Sequence, residues 1–315
     1  MSEPIATPSH DDIAAARRRI AADVRVTPLW RLPGAALGVD VAELWLKLEH
    51  LQIGGSFKAR GMFNRIRLAA VPASGVVIAS GGNAGIAAAA AARAMGMRCE
   101  VFVPELSSPA KRQALADLGA VVHVQGAQYV DALAACLRHQ QSTGALLLHA
   151  YDQTEVVVGA GTLAAEIEQD AGLPERALVS VGGGGLIAGI AAWVAGRARV
   201  EALEPRGAPT LHAARAAGEP VDVAVSDLAA DALGARRIGS IAWPICQRFV
   251  VDAHLVDDAD IAAAQRQLWA DLRLAVEPAA ALPLAALRSG VVRPGRHERV
   301  ALVLCGANLD PATLA

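Results

Sequence analysis

The chain reads as an α/β protein with open, twisted, mostly parallel sheets covered on both faces by helices. Short runs rich in β-branched residues alternate with alanine-rich runs over most of its 315 residues. Such alternation favours strands joined by crossover helices. The alternation falls into two series, one over residues 75–150 and one from about 177 onward. Glycine pairs or quartets stand at residues 81–82 and 182–185, where a strand would hand over to a helix.

In the first series, residues 76–80, 99–103, 121–124 and 145–148 read as strands. Helices are expected to begin near Ala84, Pro109 and Ala127. Ser107 and Ser108 before Pro109 make a cap-then-proline helix start. The second series has strands at 177–181, 200–203, 249–251 and 300–304, with helices that include 258–272 and 278–287. The segment from Ile13 to about Arg67 precedes the first series and is expected to pack with the second. The implied organisation is a large unit from 1–74 and 151–315, a smaller unit of 75–150 inserted into it, and a cleft between them.

Composition narrows the function classes. With 54% hydrophobic and 19% charged residues, the chain should fold as a compact globule. Its longest apolar stretches, 84–92 and 186–195, fall short of the roughly 18 residues a membrane-spanning helix needs. The opening is polar as far as Asp12 and is followed by Arg17, Arg18 and Arg19, unlike a secretory leader. A cytoplasmic location is expected. A net charge of −2 without a basic stripe argues against nucleic acid or anionic membrane as partners. Cys99, Cys136, Cys246 and Cys305 lie far apart and near no histidine cluster, so neither zinc nor a disulfide framework is indicated. The first three read as small buried hydrophobes.

Four segments carry chemistry. The first runs Lys47-Leu-Glu49-His50-Leu51-Gln52-Ile53-Gly54-Gly55-Ser56-Phe57-Lys58-Ala59-Arg60-Gly61. Ser56 is expected to cap a helix with Lys58 in its first turn. The helix dipole and apolar neighbours both disfavour a cation there, which raises the fraction of neutral amine able to condense with a carbonyl. The second, Ser80-Gly81-Gly82-Asn83-Ala84, can turn successive backbone N–H groups toward a carboxylate. The third, Gly182-Gly183-Gly184-Gly185-Leu186, can close around a phosphate at a helix N-terminus. The fourth is Cys305-Gly306-Ala307-Asn308, after the last strand.

Together these segments resemble the serine/threonine dehydratase family of fold type II pyridoxal-phosphate enzymes, in which K-x-E-x-x-Q-x-x-G-S-F-K-x-R-G surrounds the cofactor lysine. All four occur in the family's order, so the resemblance spans nearly the whole chain. It implies pyridoxal 5′-phosphate held covalently by Lys58. Phe57, Asn83, residues 182–185, Leu186 and Cys305 would lie around the cofactor, with Asn83 on its 3′-oxygen and Cys305 at its pyridine nitrogen. Ser80, Gly81, Gly82, Asn83 and Ala84 would hold the substrate carboxylate. A thiol with an ordinary pKa of roughly 8.5 would not keep that nitrogen protonated as a carboxylate does, which suits elimination better than transamination. The segment from Glu204 to Thr210 resembles the family's cation loop. Glu204, Ala208 and Thr210 fit a monovalent ion such as potassium better than Mg²⁺, which usually takes more carboxylates. Glu277-Pro278 matches a family segment near the cofactor, without an assigned role.

The activity so implied is removal of water and ammonia from L-threonine, L-serine or a related β-hydroxy amino acid, in a homodimer. The chain ends a few residues after Asn308, so inhibition by isoleucine through a C-terminal regulatory domain is not expected. Within the same fold, a racemase or a β-replacement synthase is the nearest alternative. Racemases carry a second serine where Gly81 stands, and synthases carry threonine in the asparagine loop. From another class, Gly183-x-Gly185-x-x-Ala188 with Glu204 meets a degenerate dinucleotide fingerprint of an NAD-dependent dehydrogenase, which leaves the Lys58 and Asn83 segments unexplained.

Overall fold

The computed structural model describes residues 7–226 and 233–310. Helix α1 (His10–Ile20) opens on a capping box, Ser9 and Asp12 each accepting the other's backbone N–H. Strands β1 (Leu29–Pro33) and β2 (Glu43–Lys47) lead to α2 (Lys58–Leu68). Then β3 (Val76–Ala79), α3 (Asn83–Ala94), β4 (Cys99–Val103), α4 (Pro109–Asp117), β5 (Val121–Val124), α5 (Tyr129–Thr143) and β6 (Leu146–Leu148) alternate. Next come α6 (Thr154–Ala171), β7 (Arg176–Ser180), α7 (Gly185–Val194), β8 (Arg199–Pro205) and α8 (Thr210–Ala217). The last described elements are α9 (Ala242–Phe249), β9 (Val250–Val256), α10 (Asp258–Leu272), α11 (Pro278–Arg288) and β10 (Arg299–Val303).

Two sheets result. One has six strands in the order β1-β2-β10-β7-β8-β9, parallel except where β1 runs against β2. The other has four parallel strands in the order β5-β4-β3-β6. The eight expected strands are present, and the open α/β architecture with mostly parallel sheets is the one the alternation predicts. The structure adds β1 and β2. β1 ends on Pro33 and lies at the edge of its sheet, where a missing N–H is tolerated. β2 is short, but Leu44, Trp45 and Leu46 in it are fully buried.

Alanine explains how closely the helices lie on the sheets. Ala87 to Ala92 of α3 are all buried, and a methyl side chain costs no rotamer entropy in a helix. Helix α2 shares a core with the smaller sheet, its Ala59, Met62, Phe63 and Ile66 clustering with Val76, Ile78 and Val101. No helix among the described residues is long and apolar enough to cross a membrane. The four cysteines are buried free thiols, and burial pushes Cys99, Cys136 and Cys246 up to about 12. The chain segments after β3, β6, β7 and β10 lie at the carboxyl ends of parallel strands, where open α/β sheets bind ligands.

Candidate active site

Lys58 is the first residue of α2, and the backbone before it is tied to the last strand. Ser56 forms a β-bridge with Gly306, the Phe57 N–H donates to the Cys305 carbonyl (3.1 Å), and the Ala307 N–H donates to the Gly55 carbonyl (2.9 Å). Gly54 and Gly55 make this turn at φ 69° and 72°, a region other residues rarely enter. The expected cap does not form. Ser56 is held extended at φ −161° by its bridge, α2 begins after Phe57, and the buried Ser56 hydroxyl has no partner among the described residues. The Lys58 amine donates to the Ala150 carbonyl (2.8 Å) and lies 5.1 Å from the Phe57 ring centre. Burial lowers its pKa from 10.5 to about 8, against the opposing pull of Cys305 and Glu277.

Lys58 opens onto a pocket that also receives Phe57, Asn83, Tyr151, Ser180, residues 182–185, Leu186, Leu233, Glu277, Ala279 and Cys305. Phe57, Lys58, Asn83, the glycine quartet, Leu186 and Cys305 are thus brought together. Gly184 takes φ 85° and starts α7 without a side-chain cap, leaving the first N–H groups of that helix for an anion. A Cβ on Gly183 would lie 2.3 Å from Tyr151 Cγ and 2.4 Å from both Cδ atoms. The glycine backbone therefore lies directly against the tyrosine ring, and the cradle has no room for a side chain.

Sequence reasoning did not single out the 149–153 segment after β6. It contributes the Ala150 carbonyl to Lys58 and the Tyr151 ring to the glycine loop. The Asp152 carboxylate accepts from Ser240 N, Ser240 Oγ and Ile241 N at 3.0, 2.9 and 3.0 Å. His149 Nδ1 accepts from the N–H groups of Tyr151 and Asp152. The position of this segment at a parallel strand's carboxyl end was the available signal.

Asn83 begins α3, its amide donating to both Glu277 oxygens (2.7 and 3.0 Å) and accepting from Asn308 Nδ2 (2.6 Å). Cys305 is 3% exposed, and burial, followed by Glu277, raises its thiol well above the ordinary value. It stays neutral at working pH. Ser80, Gly81, Gly82 and Ala84 form the turn into α3, with Gly82 as an N-cap that offers no side chain. The space a Cβ on Gly81 would enter is bordered by Ser107 Oγ at 3.1 Å and Val103 Cγ1 at 3.2 Å.

Three of the motif's charged residues join a buried ion cluster. Arg60 pairs with Glu49 (2.7 Å) and Glu166 (2.7 Å), and Lys47 pairs with Glu166 (2.8 Å), all essentially sealed from water. Two cations balance two carboxylates, and Thr27 and Thr162 add hydrogen bonds. A buried group of this kind tolerates no missing member, because the charge left behind stays desolvated. It fixes α2, and Lys58 with it, against β2 and α6.

Glu204 and Thr210 also meet behind the glycine loop. Thr210 Oγ1 lies 2.9 Å from Glu204 Oε1 and 2.6 Å from the Gly182 carbonyl. Glu204 accepts the N–H groups of Leu211 (2.7 Å) and His212 (2.8 Å) at the start of α8, and the Ala208 carbonyl accepts from Thr210 N. Burial raises the Glu204 pKa against those hydrogen bonds. A carboxylate so enclosed does not reach a ribose, and the dinucleotide reading fails there.

A buried amine of lowered pKa, a side-chain-free anion cradle at a helix N-terminus and a neutral thiol in one pocket fit pyridoxal phosphate. The family profile described as pyridoxal-phosphate dependent enzyme matches residues 20–306, and the chain belongs to that family. Among its relatives, a phenylserine dehydratase of Ralstonia pickettii is 33% identical over 320 residues, covering 98% of this chain and 95% of that one. An L-threonine ammonia-lyase of Geobacter sulfurreducens is 36% identical over 286 residues, covering 89% of this chain and 70% of that one. Maize serine racemase superposes with a TM-score of 0.91 at 30% identity, covering 98% of this chain and 96% of its own. A T.th. threonine deaminase superposes with a TM-score of 0.89 at 32% identity, covering 96% of this chain and 99% of its own.

Proposed function

We propose that the chain is a pyridoxal-phosphate-dependent dehydratase that eliminates water and then ammonia from a β-hydroxy amino acid, leaving a 2-oxo acid. L-Threonine and L-serine are the first substrates to test, with phenylserine beside them. The observation that carries the reading is the Lys58 amine, lowered to about 8, in one pocket with the glycine cradle and Cys305. The names of the Ralstonia and Geobacter relatives support the same chemistry.

Pyridoxal phosphate, when bound, supplies the electron sink for the α-carbanion. Residues 182–185 and Leu186 would hold its phosphate, Phe57 and Asn83 its ring and 3′-oxygen, and Cys305 would face the pyridine nitrogen. Lys58 would take the α-proton, since an amine near pKa 8 is partly neutral at working pH. As a neutral thiol, Cys305 would offer that nitrogen no strong proton donor, which would favour loss of the β-hydroxyl over transamination. Ser80, Gly81, Gly82, Asn83 and Ala84 would bind the substrate carboxylate through the turn into α3. The working arrangement is a cofactor-bearing unit of 1–74 and 151–315 with 75–150 as the inserted substrate unit, acting as a homodimer in the cytoplasm.

Potassium at Glu204, Ala208 and Thr210 completes the proposal, supported by the Thr210 hydroxyl lying within hydrogen-bond distance of both the Gly182 carbonyl and Glu204. Activity in potassium should exceed that in sodium and survive a chelator; a strict need for Mg²⁺ would reject the assignment. The main test is a 2-oxo acid assay with threonine, serine and phenylserine. Turnover of at least one is expected, and failure with all three in the pyridoxal-phosphate-loaded protein would refute the dehydratase reading.

A further inference from the structure

Glu277 precedes α11, and its backbone N–H donates to the Gly306 carbonyl (3.0 Å). Its side chain folds back over Gly306, where an added Cβ would lie 2.3 Å from Oε1. Both its oxygens face Asn83 Nδ2, at 2.7 and 3.0 Å. Asn308 Nδ2 holds the other end of the same amide (2.6 Å) and also reaches the Gly54 carbonyl (2.8 Å). Asn83 is therefore clamped by two residues from the far side of the pocket, next to the turn that carries Lys58.

The chemistry of the clamp fixes which way the amide points. An ionised carboxylate accepts and cannot donate, so the Asn83 atom facing Glu277 must be its NH₂ group, and its oxygen must face Asn308. Nδ2 lies within reach of both Glu277 oxygens, and a single hydrogen shared between them would leave the second for another acceptor. With the amide reversed, two oxygens would confront each other at Glu277 and two NH₂ groups at Asn308. Glu277 is 5% exposed, so its charge is screened little by solvent.

We propose that Glu277 is a positioning residue, which holds the Asn83 amide so that one N–H faces the phenolic oxygen of bound pyridoxal phosphate and sets a negative charge beside Lys58. The proposal rests on the reading of Lys58 as the cofactor lysine. Its charge should favour the protonated form of the Lys58-bound chromophore, in line with the upward pull Glu277 exerts on the Lys58 amine.

The test is a pH titration of the visible absorbance of the loaded protein, with pyridoxal phosphate dissociation measured in parallel. Glu277→Gln keeps the volume and one acceptor oxygen but removes the charge. Its absorbance midpoint should move to lower pH by about one unit or more, with dissociation within about threefold of wild type. Glu277→Ala removes the clamp as well and should weaken cofactor binding roughly tenfold or more. Glu277→Gln carries the test if Glu277→Ala fails to fold. A merely structural role would lower the melting temperature of Glu277→Gln without moving its midpoint, and that result would overturn the proposal. Wild-type protein that develops no visible band would overturn the Lys58 reading itself, and this proposal with it.

Discussion

Replacing Gly183 by alanine puts a methyl group into the ring of Tyr151. The added Cβ would lie 2.3–2.4 Å from three ring atoms, where ordinary contact starts at 3.4 Å, so one partner must retreat by about 1 Å. The backbone at Tyr151 is held, because its N–H is bound to His149 and the adjoining Asp152 is anchored on Ser240 and Ile241, so the ring or the glycine loop must give. Overpacking of this kind costs about 1–3 kcal/mol. If the glycine loop absorbs it, pyridoxal phosphate affinity should fall roughly five- to hundredfold, at about 1.4 kcal/mol per decade. Spectroscopic titration of the cofactor into the apoprotein measures the loss, with melting of the apoprotein as a control for global damage. Adding Tyr151→Ala should recover part of the affinity by vacating the space. Wild-type affinity in Gly183→Ala, or no recovery in the double variant, would refute the argument that the ring sets the shape of the cradle.

Two further outcomes follow from the geometry. The cofactor-free protein should lose stability as pH falls from 10.5 toward 8, because the unfolded chain then binds a proton that folded Lys58 refuses. At about 1.36 kcal/mol per unit the effect has a ceiling of about 3 kcal/mol. Denaturant unfolding of wild type and Lys58→Met at both ends of that window checks it, and parallel pH profiles would contradict it. Racemisation of L-serine should be slow beside pyruvate formation, since Gly81 offers no proton donor where racemases carry serine, a loss worth roughly 10²–10⁴ in rate. Chiral analysis of residual serine decides this, and D-serine forming as fast as pyruvate would overturn it. Gly81→Ser should raise the trace, after Ser107 Oγ and Val103 yield a few tenths of an ångström.

Much of the fold was legible because its signals are local. Strand runs and alanine-rich helices announce themselves within short windows, and the stretch around Lys58 packs several constraints into one segment. Its residues nevertheless do different work than their proximity suggests. Lys47, Glu49 and Arg60 form a buried ion cluster with Glu166, whose membership depends on α6 lying against α2. Tyr151 was missed as a neighbour of Lys58, and Glu277 was matched to a segment near the cofactor without a role, because tertiary packing from distant chain segments sets the contacts of both. The Ser56 cap failed for a similar reason: a bridge to Gly306 overrode the local preference. β1 and β2 carry too few alternating residues to stand out, and their pairing with each other and of β2 with β10 is what makes them strands.

Lys58 is the central assignment, as the residue proposed to bind pyridoxal phosphate and move the α-proton. Lys58→Ala, reconstituted with the cofactor and compared with wild type, tests that role in one preparation. The visible absorbance of the lysine-bound cofactor and the formation of 2-oxo acid from threonine, serine or phenylserine should both be lost. The cradle of residues 182–185 should still take up the phosphate of free cofactor. Retention of both the absorbance and the turnover in Lys58→Ala would contradict the account.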